Sequence, residues 1–193
     1  MKKVLVFVTV FFLYAFTVRD TSLDVTKVYI APESSLKISG TSNVNSFTCA
    51  YNTKNLTAPV AVQFEKKNNK VRFQKATLVL DNLGFDCGNR GINRDFHSLI
   101  KTKEYPQLYL RLKEIQTTDT KSKTVQALVE IEIAGISKSF EVPVQFKEDD
   151  TVCVSGKLKL QLSDFNLEPP KKVLGLIVVH DTITIDFRLM MNV

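Results

Sequence analysis

The chain has 193 residues, 44% of them hydrophobic, and a formal net charge of +6. That apolar content excludes general disorder, while thirteen Phe, no Trp and seven Gly exclude collagen-like or low-complexity material. The charge is scattered, and its densest cluster, EKKNNK at 65–70, reads as a solvated hairpin loop, not the focused basic patch that nucleic-acid binding needs.

Lys2 and Lys3 precede VLVFVTVFFLYAFTV at 4–18, the basic and apolar regions of a secretory signal. Arg19 and Asp20 stop this run short of the about 20 apolar residues a transmembrane helix requires. We therefore expect residues 1–18 to be a signal peptide with a weak cleavage site near Ala15 and Thr17. An uncleaved interfacial anchor is the rival reading. Loss of Lys2 and Lys3 takes the charge from +6 to +4. Residues 19–32 read as a linker and 33–193 as one folded domain, without an internal repeat. The expected location is periplasmic or secreted.

From Leu36 onward, apolar residues alternate with polar ones, the period-two mark of half-buried strands. Leu36 and Ile38 open the series, followed by Val60, Val62 and Phe64. Val71 and Phe73 keep the phase, which slips near Lys75 and resumes at Leu78 and Leu80, as at a β-bulge. Leu108, Leu110 and Leu112 follow Pro106. Next come Val125, Ala127, Val129, Ile131 and Ile133, then Phe140, Val142, Val144 and Phe146. The last two strands are 152–162, interrupted at Gly156, and the run of Ile183, Ile185, Phe187 and Leu189.

Short polar turns join most of these roughly eight strands, which makes neighbours antiparallel. Each has one apolar face, so the sheet must fold into a sandwich or close into a barrel. The alternation alone leaves both open, with the barrel ahead. A barrel of this size, lined by Leu, Val, Ile and Phe, holds packed side chains or one small apolar guest. Its height would be about 25 Å, enough for a long hydrocarbon chain.

Three cysteines are present, none in a C-x-x-C pair, which removes the usual zinc-ribbon and thioredoxin signatures. We expect Cys49 to bridge Cys87, closing a loop of roughly 40 residues worth about 4 kcal/mol. Cys153 reads as an unpaired strand residue.

The one helical segment lies in GNRGINRDFHSLIKTKEYP, 88–106. Asn93 is read as its N-cap, and Phe96, Leu99 and Ile100 form an apolar stripe at i, i+3 and i+4. Lys101 and Lys103 suit the C-terminal end of the dipole. Asp95 and His97 point about 200° apart on a helix and do not face each other, so a catalytic triad with Cys87 is not formed. The second histidine, His180, reads as part of a turn. Two histidines and scattered cysteines fall short of a zinc site, and Asp81, Asp86 and Asp95 lack the spacing of a calcium loop. We expect no catalytic residues, no metal and no cofactor. Asn55-Leu56-Thr57 is a glycosylation sequon, meaningful in a secreted eukaryotic chain.

Four stretches, in this order and spacing, carry a family resemblance: GTSNVNSFTC (40–49), NRDFHSLIKTKEYPQLYL (93–110), GISKSFEVPV (135–144) and LKLQLSDFNLEPPKKVLGLIVVHDTITIDFRL (158–189). Together they resemble the YceI-like lipid/polyisoprenoid-binding family. The resemblance implies an all-β fold with one short helix, an antiparallel eight-stranded lipocalin-like barrel with an apolar interior. It implies exported, non-enzymatic proteins that hold a polyprenyl chain or another amphiphile. This chain departs from the commoner pattern near its start, with Asn45-Ser46, Phe47 and Cys49 where many relatives open a longer strand with a His-Ser pair.

On this reading the protein sequesters or ferries a long-chain isoprenoid or other lipid. The expected lining is Phe73, Leu110, Leu112, Val129, Ile131, Phe140, Val142 and Leu160, with Phe96 and Leu99 of the helix closing one mouth. Asn93, His97, Lys101 or Arg111 would select a head group there. Membrane contact during ligand exchange and a dimer both remain open. The alternative is a secreted structural or interaction module whose barrel is packed solid and holds no ligand. A hydrolase is a distant third.

Overall fold

A sheet with one apolar face has no stable edge in water, and the computed structural model shows how this chain removes its edges. The structure describes residues 23–116, 124–148, 151–172 and 176–192. The expected signal peptide lies outside the described residues. The elements are β1 (Asp24–Ile30), β2 (Ser35–Ser42), β3 (Ser46–Tyr51), β4 (Val60–Lys67), β5 (Lys70–Asp81), β6 (Phe85–Asp86), α1 (Arg90–Leu99), β7 (Gln107–Gln116), β8 (Thr124–Ile133), β9 (Ile136–Glu148), β10 (Val152–Gln161), β11 (Lys171–Lys172) and β12 (Ile177–Asn192).

Eight antiparallel strands form a ring in the order β1-β4-β5-β7-β8-β9-β10-β12 and back to β1. The closing contact pairs Tyr29 with Asn192 and Ile30 with Met191. β12 serves two partners along one edge: β2 over Val179 to Arg188, and β1 at its far end. From β2 the sheet branches outward to β3 and the two-residue β6. The closed antiparallel barrel is thus present, with a change of membership: the strand at Leu36 and Ile38 lies in the branch, and β1 completes the ring.

β1 occupies half of the stretch read as a linker, 19–32, and corrects that reading for Asp24–Ile30. Its pattern hid it. Val28 and Ile30 point inward, while Val25 and Tyr29 on the opposite face are 66% and 50% exposed, so apolar residues fall on both faces. Where the phase slip near Lys75 was read as a bulge, the register of β5 shifts against both β4 and β7. The β8–β9 hairpin turns through Ala134 (φ 49°) and Gly135 (φ 78°), two left-handed residues of the kind tight hairpins need. A Cβ on Gly135 would meet the Tyr105 ring at 2.7 Å, so that glycine also seats the aromatic that leads from the helix into β7.

The helix starts one turn earlier than its sequence suggested. Asn89, not Asn93, is the N-cap, its Oδ1 accepting from the N–H groups of Gly91 (2.7 Å) and Ile92 (3.3 Å). Asn93 is committed elsewhere: its Oδ1 accepts from Cys87 N–H at 2.6 Å, and its Nδ2 donates to Asp86 Oδ1 at 2.9 Å. The same Asp86 oxygen accepts from Gly88 N–H at 2.9 Å. Beside this clamp the expected Cys49–Cys87 disulfide is formed, tying β3 to the approach of α1. Cys153 is free.

At its other end the helix closes in a Schellman motif. Lys101 N–H donates to Ser98 O (3.2 Å) and Thr102 N–H to His97 O (2.9 Å), with Lys101 left-handed at φ 52°. A lysine there bears a steric cost that glycine would not.

Two predictions follow from these helix ends. Lys101→Gly raises unfolding stability by about 1 kcal/mol in equilibrium urea unfolding, since it relieves the left-handed side chain; a lower midpoint would overturn this account of the cap. Hydrogen bonds from Asn93 and Gly88 hold the Asp86 carboxyl below its ordinary value of 3.8. A folded-state pKa below the unfolded one contributes stability that is complete above the unfolded value and lost as pH falls through the folded one. Thermal unfolding followed from about pH 5 to about pH 2 will therefore show a steeper loss in the parent than in Asp86→Asn, the two curves converging at the acid end.

Candidate functional site: an apolar cavity in one half of the barrel

Each ring strand turns alternate side chains inward, and these stack in levels from one end of the barrel to the other. At the end that carries the β4–β5 turn, Ile115, Val125, Phe146 and Met191 stand within two residues of their strand ends, and Phe146 is 38% exposed. They form the mouth of a cavity of about 330 Å³. Every lining side chain is a hydrocarbon, apart from the Met191 thioether. A space so lined stays dry and suits an apolar guest.

The lining stops at one level. Its deepest residues include Leu36, Leu78, Leu110, Ile131, Leu158 and Ile185. Two positions further along the same strands, Ile38, Leu80, Leu108, Ile133, Leu160 and Ile183 are buried in a packed cluster. Phe165, fully buried, enters that cluster from the turn after β10 and stacks on Phe140 with ring centroids 6.2 Å apart. Phe96 of α1 packs on Phe85 at 5.3 Å. One half of the barrel is solid and the other hollow. A lumen running the full height, as the strand lengths suggested, is not present.

Of the residues expected to line the interior, Phe73, Leu110, Leu112, Val129, Ile131 and Val142 face the cavity. Phe140 and Leu160 point inward from the same strands but belong with the solid half. Phe96 and Leu99 do not reach the cavity. Phe96 is buried in the plug, and Leu99 borders a separate polar cleft with Asp95, Ser98, Lys101 and Glu168. Sequence reasoning missed Val28 and Ile30, because β1 was hidden. It also missed Phe187, Leu189 and Met191, which the alternation of β12 would have supplied.

The residues suggested for a head group lie elsewhere. Asn93 holds the helix clamp. The His97 ring stands edge-on to Phe96 at 5.8 Å, and its buried Nε2 has no partner among the described residues. Arg111 is on the outer wall, bridging Glu130 (3.2 Å) and Glu132 (2.8 Å) and lying over the Tyr109 ring at 5.0 Å. Glu132 beside it holds its guanidinium pKa above the ordinary value. Nearby, Lys70 at 2.6 Å and Arg72 at 3.0 Å hold the Glu114 carboxyl below its ordinary value. Half-exposed pairs of this kind contribute little stability each. Their effect is to keep charge on the outer wall and none in the lumen.

Among the described residues, the reactive groups weighed from the sequence are not brought together. Cys87 is in the disulfide. His180 lies in β12, not in a turn, and its Nδ1 is 2.8 Å from Thr41 Oγ1, while its neighbour Asp181 accepts from Ser163 N–H (2.9 Å) and Oγ (2.5 Å). Among the described residues no three His, Cys, Asp or Glu side chains gather as a metal site would require. No helix of the described residues is long and apolar enough to cross a membrane.

This geometry has counterparts. The structure is similar to that of BcnA from Burkholderia cenocepacia, at 21% identity and a TM-score of 0.63, covering 82% of this chain and 96% of that one. It is also similar to a polyisoprenoid binding domain from Saccharophagus degradans implicated in plant cell wall breakdown, at 14% identity and a TM-score of 0.61, covering 86% and 97%. At such identities the likeness is one of fold. No curated protein sequence matches this chain. The sequence does match the YceI-like domain over residues 17–191, nearly its whole length, and the chain therefore belongs to the YceI-like family.

Proposed function

We propose that this protein is an exported, non-enzymatic carrier that holds the hydrocarbon chain of an isoprenoid or similar amphiphile in the hollow half of its barrel. One observation carries the reading: a cavity of about 330 Å³, open at a strand-end mouth, whose lining is hydrocarbon apart from the Met191 thioether. Membership of the YceI-like family and the polyisoprenoid binding domain among the structural neighbours support the same class of ligand. The basic and apolar N-terminal stretch supports export to the periplasm or the medium.

The mechanism is burial. Each methylene moved from water into the cavity contributes about 0.8 kcal/mol before ordering costs, and a dry wall adds no chemical discrimination. A polar head has no partner inside, where an unpaired amide or hydroxyl costs several kcal/mol, so it stays at the mouth. Loading and unloading then occur through that single end, where a membrane supplies or receives the tail.

Organic extraction of the purified protein, followed by mass spectrometry, should release a lipid with an apolar tail. An empty extract, together with no uptake of added prenol, would remove the carrier reading. Val129→Phe places a ring in the lumen and should weaken prenol binding at least about tenfold while the protein stays folded. Unchanged affinity would show that the tail does not pass Val129.

A further inference from the structure

The hollow half of the barrel has a floor, and the floor sets a length. A dry cavity of about 150 Å³ accepts benzene, six carbons, so about 330 Å³ accepts roughly thirteen at the same filling. We infer that the cavity admits a tail of about a dozen carbons, two to three isoprene units, and that Phe140 is the residue that sets this limit. The inference rests on the carrier reading above and specifies the tail that reading leaves open.

The geometry singles out Phe140 as follows. On β9 the inward residues Val144 and Val142 face the cavity, and Phe140 is the next inward position. It is opposite Val129, the cavity residue on β8, and it packs against both the plug and the small cluster of Ala127, Val142 and Val144. Its ring is backed by the fully buried Phe165 at 28° between planes, so a tail pressing on it meets a stacked pair held by the solid half.

A second element acts on the width. Gly156 stands between Val154 and Leu158, both lining residues, and is paired with Phe187. A Cβ at Gly156 would meet Phe187 Cζ at 2.8 Å, so the ring lies in the space a side chain would fill. Gly156→Ala drives the ring off the wall and into the lumen. The two substitutions thus change capacity in opposite senses: Phe140→Ala deepens the cavity and Gly156→Ala shrinks it.

The experiment measures dissociation constants for saturated fatty acids from octanoic to eicosanoic by calorimetry, with thermal unfolding to confirm that each variant is folded. Affinity in the parent should rise about fourfold per carbon and then flatten near roughly thirteen carbons. In Phe140→Ala the break should move to tails longer by roughly three to six carbons, and in Gly156→Ala to shorter ones. Should Phe140→Ala not fold, the milder Phe140→Leu takes its place, with a shift in the same direction expected. A parent affinity that climbs without a break to eicosanoic acid overturns the inference and leaves the carrier reading standing. So does a break left unmoved by a folded Phe140 variant. If no acid binds the parent and extraction yields no lipid, the carrier reading itself fails, and the length limit with it.

Discussion

The shared edge of β12 is the constraint on which the rest of the molecule depends. Along that edge β2 pairs with the first two thirds of the strand and β1 with its last residues, so one long strand both closes the ring and carries the branch. Without the Ile30–Met191 pairing the apolar faces of eight strands would end in open edges, and the cavity would lose a wall. The strands that close the ring also line it: Val28 and Ile30 of β1 and Leu189 and Met191 of β12 all face the lumen. Closure and binding capacity therefore come from the same strands.

The division of the barrel into a solid and a hollow half follows from what enters each half. Around the hollow half, short side chains such as Val28, Val60, Val62, Ala76, Val125, Ala127, Val142 and Val144 alternate with larger Leu, Ile and Phe, and a cavity is left between them. Beyond the floor the inward positions are mostly Leu and Ile, and four buried rings enter from outside the ring strands: Tyr51, Phe85, Phe96 and Phe165. Interiors pack to crystal-like density when the pieces allow it, and here they allow it at one end. The disulfide and the Asp86–Asn93 clamp hold α1 and β6 over that end, so the plug is tied as well as packed.

Much of this was visible in the residues. Period-two alternation identified β2, β4, β5, β7, β8, β9, β10 and β12, the bulge near Lys75 and the inward direction of Val129 and Leu110, because a half-buried strand must alternate whatever it packs against. The Cys49–Cys87 bridge was likewise within reach. β1 was not, since a strand with Val25 and Tyr29 on its outer face gives no binary pattern. The N-cap was misplaced by one turn because Asn89 and Asn93 are equally good caps in isolation, and the choice fell to Asn93's bonds with Cys87 and Asp86.

Taken alone, the sequence determined that this is an antiparallel sheet with an oily face, a water-facing side and one amphipathic helix, for these are local periodicities that survive without knowledge of neighbours. It also determined that inward positions carry no charge. Only the tertiary structure decided which strand closes the ring, which carboxylates Arg111 bridges on the outer wall, and where the cavity stops. Those outcomes depend on which side chains meet across a barrel, over separations such as Ile30 to Met191 or Phe140 to Phe165. The pattern of one strand says that a residue points inward; whether it then meets a partner or empty space is settled by the strands on the other side.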